Sequence, residues 1–340
     1  MLNNSSIFIF VVIENVIMYK FIDLFAGVGG FHLAFKSECC VFASEIDRYA
    51  SETYKLNFPD TRLEGDITKI DEKDVPEHDI LCAGFPCQPF SVAGYRKGFQ
   101  DVRGTLFFDI ARIIKYHRPK AVLLENVKNL ENHDNGNTLK TIINVLQDLN
   151  YYVCYKILNS AEYSNIPQNR ERIFIVAFNK DRVLNYSYFK FPEPVELTNT
   201  IHDFIEQKKQ DDVFYYNNTK YYKIFNEGML NKNTVYQWRR HYIRENKSNL
   251  CPTLTANMGE GGHNVPIIRD DYGIRKLTPR ECFNFQGYPK NFKLPNQSNS
   301  KLYKQAGNSI VYPLVKKIAD NILKVINNIN SAEDINAKFF

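Results

Sequence analysis

The feature that most constrains the fold is an alternation of short apolar segments with amphipathic segments between residues 19 and 178. Six segments have the apolar character of buried strands: YKFIDLFAG, CCVFASEID, HDILCAGF, KAVLLENV, YYVCYKIL and RIFIVAF. Residues 105–117 have helical spacing with Thr105 as a plausible N-cap, and residues 137–150 repeat the pattern. The apolar face of the first helix would contain Leu106, Ile110, Ile113 and Ile114. This alternation predicts an α/β fold with a doubly wound, mostly parallel sheet and helices on both faces.

Composition narrows the class of protein but does not identify a partner. A hydrophobic fraction of 44% is sufficient for a large core, and a formal net charge of +5 is weak evidence for a polyanionic partner. The seven scattered cysteines include no C-x-x-C pair, which favours reduced thiols, a cytoplasmic location and no zinc site. The apolar N-terminal segment is interrupted by Glu14 and is too short to span a bilayer. We therefore expect residues 1–17 to be an extension and expect no membrane association.

The character of the sequence changes after FKFPEP at residues 189–194. Residues 195–275 are rich in Asn, Lys, Tyr and Gly and have weak periodicity, which predicts a hinge and a smaller, irregular second domain. A helical pattern is expected to return only at residues 311–326, with Val311, Leu314, Val315, Ile318 and Ile322 on one face. The predicted domains are residues 1–193 plus 303–340, and residues 194–302.

A glycine-bearing turn, DLFAGVGG, follows the first predicted strand. Its Gly27, Gly29 and Gly30 do not have the G-x-G-x-x-G spacing, so an ordinary tight turn remains an alternative to a ligand site. Glu45 ends the next strand, where a carboxylate can accept hydrogen bonds from ribose hydroxyls. Asp66 could accept from an adenine amino group, with Ile46 and Ile67 flanking the ring. Together these residues favour an adenosine-bearing cofactor without phosphate.

Reactive side chains follow three other strands. Cys87 lies in PCQ, Glu125 in ENV, and Arg170 and Arg172 in QNRERI. Nearby cations favour the nucleophilic thiolate form of a cysteine, and a carboxyl shielded from water can act as a general acid. Cys87 could instead be a small buried hydrophobe, and Glu125 with Arg172 could be a structural ion pair. The occurrence of all three groups in one fold favours an active site.

Five segments together resemble the ordered motifs of DNA (cytosine-5)-methyltransferases, most closely the bacterial restriction-modification type: FIDLFAGVGGFHLAF, GFPCQPFSVAG, ENVKNL, IPQNRERIFIVAF and QAGNSI. The resemblance runs from about residue 19 to residue 326. It implies the Rossmann-like fold of S-adenosylmethionine-dependent methyltransferases, S-adenosyl-L-methionine as the cofactor and double-stranded DNA as the substrate. It further implies a monomer whose target is shared with a cognate restriction endonuclease.

The resemblance also implies roles for individual residues. The thiolate of Cys87 would attack C6 of a flipped-out cytosine, so that C5 can take the methyl group. Glu125 would bind or protonate N3, Arg172 would hold O2, and Arg170 would help to position the site. The residues that would line the cofactor pocket are Phe25, Glu45, Asp66, Pro86, Leu106, Asn308 and Ser309. Relatives often carry Trp where this chain has Ile46.

DNA contacts are expected in two regions. The loop from Ser91 to Gly98 would act as a lid, with Lys97 and Arg103 near phosphates, although solvated surface charges are an equal alternative. Residues 231–250 contain five Lys or Arg and one Glu. Trp238, Arg239, Arg240 and Arg244 there suit guanine edges and phosphates, the alternative being a solvated basic face with one buried Trp. Thr253, by the resemblance, would lie near a phosphate that flanks the flipped base.

Three other functions fit parts of the sequence. An RNA cytosine methyltransferase could use the same scaffold, but the long basic segment before residue 275 argues against it. A catalytically silent DNA-binding protein would not need Cys87, Glu125, Arg170 and Arg172. The glycine spacing disfavours a nicotinamide dehydrogenase.

Overall fold

The computed structural model describes residues 18–86, 106–260 and 264–328. A seven-stranded sheet forms the larger part of it. Its strands are β1 (Lys20–Leu24), β2 (Cys39–Ser44), β3 (Leu63–Glu64), β4 (Ile80–Gly84), β5 (Ala121–Val127), β6 (Tyr151–Asn159) and β8 (Glu171–Asn179), and β7 (Gln168–Asn169) lies outside this sheet. The order across the sheet is β3-β2-β1-β4-β5-β8-β6. All six strands that the apolar segments predicted are present.

The sheet is mostly parallel, as predicted. The pairs β3–β2, β2–β1, β1–β4 and β4–β5 are parallel, and β8 runs antiparallel to both β5 and β6. The carboxyl ends of β1, β2, β4 and β5 therefore meet at one edge. That edge is where ligands bind in sheets of this kind.

Helices cover both faces of the sheet. The α-helices are α1 (Gly30–Ala34), α2 (Arg48–Asn57), α3 (Leu106–His117), α4 (Asn137–Asp148), α5 (Ser160–Tyr163), α6 (Tyr222–Gly228), α7 (Pro279–Phe285), α8 (Asn299–Asn308) and α9 (Tyr312–Ile326). Short 3₁₀ segments span Ile67–Lys69, Glu72–Asp74, Lys128–Glu131, His133–Gly136, Tyr186–Tyr188, Ile201–Asp203, Asp212–Phe214 and Ala256–Gly259. On one face, α3 and α4 bury Ile110, Ile114 and Ile142, and on the other α1 and α9 bury Phe31 and Ile318. Thr105, the predicted N-cap of α3, lies outside the described residues.

The second half of the chain is more regular than its composition predicted. A four-stranded sheet has the order β10-β9-β12-β13, formed by β9 (Tyr236–Trp238), β10 (Ile243–Glu245), β12 (Ile267–Asp270) and β13 (Gly273–Lys276). The separate strand β11 (Cys251–Pro252) pairs with β7. These elements were not predicted, because strands of three or four residues are too short to show a clear alternation, and the segments between them remain irregular.

The expectation of helical structure only at residues 311–326 was also wrong, since α6, α7 and α8 precede it. Helix α7 begins with Pro279 after Thr278, and the Thr278 and Glu281 side chains form a capping box. Helix α8 buries Leu302, Tyr303 and Ala306 at helical spacing, but its other side chains are mostly polar, so the apolar stripe is short. The predicted boundary between residues 302 and 303 falls within α8, and the division into domains stays a prediction.

No helix in the described part of the chain is long and apolar enough to cross a membrane.

Candidate active site

The turn after β1 has a left-handed backbone at three positions. Phe25 has φ of 56°, and Gly27 and Gly29 have φ of 55° and 88°. A positive φ is unfavourable for a residue with a side chain, so the conformation of Phe25 must be held by its surroundings. Helix α1 begins directly afterwards at Gly30, where a Cβ atom would lie 2.4 Å from Cγ1 of Ile310. The glycine therefore allows the last motif of the chain to lie against the first.

Glu45 fixes the shape of this turn. Its Oε2 accepts a hydrogen bond of 2.8 Å from the Gly27 N–H, and its Oε1 accepts one of 2.7 Å from the Asp47 N–H. Burial raises the pKa of the Glu45 carboxyl, while these backbone N–H groups act in the opposite direction. Each carboxylate oxygen can accept more than one hydrogen bond, so Glu45 can also receive donors from a ligand.

A cavity of about 380 Å³ opens at the carboxyl edge of the sheet. This volume is in the range of small-molecule sites. Nine of the predicted cofactor residues line it: Phe25, Gly27, Gly30, Glu45, Ile46, Pro86, Leu106, Asn308 and Ser309. Its wall also includes Glu125, Arg170 and Arg172. The structure therefore brings nine of the predicted cofactor residues and the predicted catalytic side chains of Glu125, Arg170 and Arg172 to one cavity.

Three predicted cofactor residues do not line the cavity. A Cβ atom at Gly29 would point at Phe58 and Tyr54 and not into the cavity. The Oδ1 of Asp66 accepts from the backbone N–H and the hydroxyl of Thr68, and Asp66 begins a 3₁₀ turn. Ile67 is buried in the core beneath α3.

Glu125 and Arg172 form an ion pair on neighbouring strands. The Nε of Arg172 lies 3.1 Å from Oε1 of Glu125, and their side chains are 16% and 13% exposed. Next to Glu125, the Asn126 side chain donates to the Phe85 carbonyl oxygen across 2.8 Å. This bond ties the strand that carries the carboxylate to the turn that leads to Pro86, the last residue described before Cys87. Cys87 itself lies outside the described residues.

Arg170 is buried at the back of the cavity. Its Nη1 donates to the Leu254 carbonyl oxygen across 2.7 Å, and its Nη2 donates to the carbonyl oxygens of Gly307 and Ser309 across 3.1 and 2.6 Å. Burial, with a contribution from the charge of Arg172, lowers the pKa of Arg170 to about 9. Its contacts hold two segments of backbone in place, one at Leu254 and one at residues 307–309.

Sequence reasoning missed several residues of the cavity wall. Asp47 and Lys304 both line it, and the Lys304 Nζ lies 2.8 Å from Oδ2 of Asp47. Asp47 also accepts from the Tyr49 and Ala50 N–H groups as the N-cap of α2. An Asp before a helix is a recognisable capping signal, but its pairing with a lysine in α8 has no local signal.

The predicted DNA-contacting residues are divided between regions. Trp238 packs against Phe225, with ring centroids 5.2 Å apart, and is partly buried. Arg239, Arg240 and Arg244 are exposed on the β9–β10 hairpin. The Thr253 hydroxyl donates to the Asn169 carbonyl oxygen across 2.6 Å. The other candidates, Ser91, Lys97 and Arg103, lie outside the described residues.

Within the described residues, no group of three or more His, Cys, Asp or Glu side chains could hold a metal ion.

The strand order and the cavity at the carboxyl edge define an α/β protein of the methyltransferase type. Solved structures agree on this fold: a DNMT2 variant from Spodoptera frugiperda superposes with a TM-score of 0.69 at 20% identity over 90% of this chain and 99% of that chain. The Dnmt2 methyltransferase of S. pombe also gives a TM-score of 0.69 at 20% identity, over 91% of this chain and 99% of that one.

Sequence comparisons identify the family. Residues 19–324 match the model of the C-5 cytosine-specific DNA methylases. The chain is 52% identical over 314 residues to the type II methyltransferase M.Bsp6I from Bacillus sp. (strain RFL6), covering 90% of this chain and 99% of that protein. It is 42% identical over 327 residues to M.HhaI from Haemophilus parahaemolyticus, covering 91% and 95%. The chain belongs to the C-5 cytosine-specific DNA methylase family and is a DNA (cytosine-5)-methyltransferase.

Proposed function

We propose that this protein transfers a methyl group from S-adenosyl-L-methionine to C5 of a cytosine that is flipped out of a specific short duplex DNA sequence. The observation that supports this most strongly is the single cavity that joins the Glu45 turn to the Glu125–Arg172 pair. The part of the cavity at the Glu45 turn suits an adenosine, and the part at the Glu125–Arg172 pair suits a pyrimidine. The DNA methyltransferase activity itself follows from the family.

The residues present fit the proposed cofactor. Glu45 retains acceptor capacity toward ribose hydroxyls, and the aromatic ring of Phe25 and the side chain of Ile46 border the same cavity. When bound, the cofactor would supply an electrophilic methyl group. Asn308 and Ser309, at the end of α8, would close the opposite wall.

The base would be activated by three side chains. The thiolate of Cys87 would form a bond to C6, and Glu125 would bind or protonate N3, so that the electron pair becomes available at C5. Arg172 would donate to O2 and would pair with the Glu125 carboxylate that remains once its proton is on N3, and Arg170 would position the site. Methyl transfer would leave S-adenosylhomocysteine. Transfer of the C5 proton to a base and departure of the Cys87 thiolate from C6 would then yield 5-methylcytosine.

The proposal includes a biological role for the methylation. The type II names of the relatives support a role in a restriction-modification system, in which methylation protects host DNA from an endonuclease that shares the target. We propose that the enzyme acts on double-stranded DNA as a monomer. Its cytoplasmic location stays a prediction.

The decisive experiment is incubation of the protein with labelled S-adenosylmethionine and plasmid DNA, followed by bisulfite sequencing. We expect label in the DNA and modified cytosines within one short recurring sequence, which also identifies the target. Absence of methyl transfer to cytosine would refute the proposal.

Cys87→Ser is the matched variant. A hydroxyl is far less acidic and nucleophilic than a thiol, so turnover should fall by roughly a thousand-fold or more, as for other removed nucleophiles. Binding of S-adenosylhomocysteine, measured by calorimetry, should be retained. A fully active variant would contradict the assignment of the nucleophile.

A further inference from the structure

The segment 251–255 is docked against the segment 167–170, two residues before Arg172. The Cys251 N–H donates to the Pro167 carbonyl oxygen across 2.7 Å, and the Thr253 hydroxyl donates to the Asn169 carbonyl oxygen across 2.6 Å. Strands β11 and β7 pair here in parallel. The segment 251–255 follows the β9–β10 hairpin and contains Thr253, so it belongs to the region expected to face DNA.

Leu254 in this segment is held on both sides by buried side chains. Its N–H donates to Oε1 of Gln168 across 3.2 Å, and its carbonyl oxygen accepts from Nη1 of Arg170 across 2.7 Å. Gln168 is fully buried, and Arg170 is 2% exposed. These bonds fix the backbone of Leu254 relative to the strand that carries Arg172.

The other end of the same guanidinium reaches the cofactor side of the cavity. Nη2 of Arg170 donates to the carbonyl oxygens of Gly307 and Ser309, and the intervening Asn308 lines the cavity with Ser309. In the described part of the chain, Arg170 has no carboxylate within ion-pair distance. A buried cation held only by carbonyl oxygens is costly to maintain, so a purely structural cross-link would be better made by apolar packing.

The two sides also touch directly. A Cβ atom at Gly307 would lie 2.2 Å from the carbonyl carbon of Thr255, so the end of α8 and the segment 251–255 are in backbone contact. Gln286 adds a bond of 2.6 Å to the Ala306 carbonyl oxygen and lies 3.3 Å from Nε2 of Gln168. A displacement at residues 307–309 must therefore be transmitted to Leu254 or break these bonds.

We propose that Arg170 is a positioning residue that couples occupancy of the cofactor cavity to DNA binding by the segment 251–255. A ligand against Asn308 and Ser309 restrains the two carbonyl oxygens that Arg170 holds, and Arg170 in turn restrains Leu254 and the adjacent Thr253. The effect is reciprocal, because coupling between two binding sites acts equally on both ligands. This inference rests on the proposed function of the cavity.

The test is a coupling measurement. The Kd for a fluorescein-labelled duplex that carries the target found by bisulfite sequencing is measured by anisotropy, with and without saturating S-adenosylhomocysteine. For the wild-type protein, we expect the cofactor product to tighten DNA binding by roughly 5- to 150-fold. Calorimetry of S-adenosylhomocysteine with and without DNA should give the same ratio.

Two variants should weaken the coupling between the cofactor cavity and the segment 251–255. Arg170→Lys keeps the charge, but an ammonium group on one flexible stem cannot span carbonyl oxygens on two separate segments. Gln168→Met removes the bond from the Leu254 N–H and the two bonds that the Gln168 side chain donates to Phe285 and Gln286, and it leaves Arg170 unchanged. In Arg170→Lys the ratio of DNA affinities should approach one. In Gln168→Met, which keeps the bond from Arg170 to the Leu254 carbonyl oxygen, the ratio should fall without reaching one, and this variant carries the test if circular dichroism shows that Arg170→Lys does not fold.

Arg275→Lys is the matched control, because Arg275 is an equally buried guanidinium that bonds to Glu281 and Asp270 and does not line the cavity. It should lower thermal stability and leave the ratio unchanged. The inference would be overturned, while methyl transfer stands, if the wild-type protein gave a ratio of one. It would also be overturned if a folded Arg170→Lys or Gln168→Met variant gave the same ratio as the wild-type protein. A protein that transfers no methyl group refutes the proposed function, and with it this inference.

Discussion

Ile46 borders the cofactor cavity with 74% of its surface exposed. An aliphatic side chain in this position covers an aromatic ring less completely than an indole does. Ile46→Trp should therefore tighten binding of S-adenosylhomocysteine by roughly two- to ten-fold, because a pair of stacked aromatic rings contributes about 0.5–1.5 kcal/mol beyond its buried area. Calorimetry of the variant and of Ile46→Ala measures this, and equal affinity in all three proteins would show that residue 46 does not contact the adenine.

Asp23 is an acidic residue inside the apolar strand β1. It is fully buried, its Oδ2 accepts from the His32 N–H, and its Oδ1 has no partner among the described residues. Burial raises the pKa of Asp23 well above its ordinary value of 3.8. The native protein therefore retains a proton here that the unfolded chain releases.

This proton makes stability depend on pH with a definite sign. Between pH 3.8 and the higher native pKa of Asp23, the native state binds more protons, so the free energy of unfolding falls as the pH rises. The asparagine side chain in Asp23→Asn is neutral at every pH, so this variant should not lose free energy of unfolding at residue 23 as the pH rises. The difference in unfolding free energy, variant minus wild type, should grow with pH by up to about 1.4 kcal/mol per unit. Urea titrations from pH 5 to pH 8 measure it, and parallel stability curves would contradict the prediction.

At the scale of single residues, the sequence predicted those parts of the site that depend on position along one strand. Glu45 and Glu125 both line the cavity, and each lies at the carboxyl end of an apolar segment. The Asp47–Lys304 pair was not predicted, since its partners are 257 residues apart. Asp66 was expected at the cavity but does not line it, and its Oδ1 accepts from the neighbouring Thr68 at the start of a 3₁₀ turn.

Among the elements, the junction of β13 and α7 contains a fully buried ion pair. Nη1 of Arg275 lies 2.7 Å from Oε2 of Glu281, and both side chains are inaccessible to solvent. Glu281 also accepts from the N–H groups of Thr278 and Glu206 across 2.7 and 2.8 Å. One carboxylate thus joins a strand, a helix start and the segment that precedes the small sheet.

Glu281→Gln should lower the free energy of unfolding by about 3–5 kcal/mol, because it leaves the buried guanidinium with less compensating charge. Urea denaturation monitored by circular dichroism measures the change. Glu193→Gln, at an exposed glutamate, is the control and should have almost no effect. A loss of under about 1 kcal/mol in Glu281→Gln, within the range of exposed ion pairs, would show that the pair is not strongly coupled to folding.

Element prediction succeeded where one periodicity dominated. Helix α9 was predicted because Leu314, Val315, Ile318 and Ile322 recur at helical spacing, and all four are buried. Helix α7 was missed although Thr278, Pro279 and Glu281 form a recognisable N-terminal signal, because its seven residues are too few to show a stripe. The strands of the small sheet were not predicted for the same reason, since they are also too short to show a periodicity.

Across the whole molecule, the sequence predicted the large sheet but not the small one. The large sheet is buried on both faces, so its strands are almost entirely apolar and easily recognised. The small sheet is held by contacts between distant segments, such as the packing of Trp238 on Phe225 and Tyr221. The sequence nevertheless showed that much of the net positive charge lies in one segment, residues 231–250.

That segment forms a hairpin with a partly buried aromatic side chain and exposed cations. Trp238 and Ile243 are paired across β9 and β10, and the Arg239 N–H donates to the Tyr242 carbonyl oxygen at the turn. Arg240 and Arg244 are exposed. The alternatives of a buried Trp and a DNA-contacting basic surface are therefore compatible, with Trp238 supporting the hairpin and the arginines available to phosphates.

If Arg240 and Arg244 each neutralise a phosphate, Arg240→Gln and Arg244→Gln should each weaken DNA binding and reduce the slope of log K against log salt by about one. Anisotropy titrations from low to moderate salt measure both quantities, while binding of S-adenosylhomocysteine without DNA should be unchanged.

Lys36→Gln removes the same charge from an exposed position after α1, near the amino ends of the strands and away from the cavity edge. It lowers the net charge as much as either arginine variant does, but it should leave the salt slope unchanged. This comparison separates a local phosphate contact from the general attraction of a basic protein to DNA. If all three variants reduced the slope equally, the hairpin would contribute only to overall charge, and the surface that contacts DNA would have to lie elsewhere.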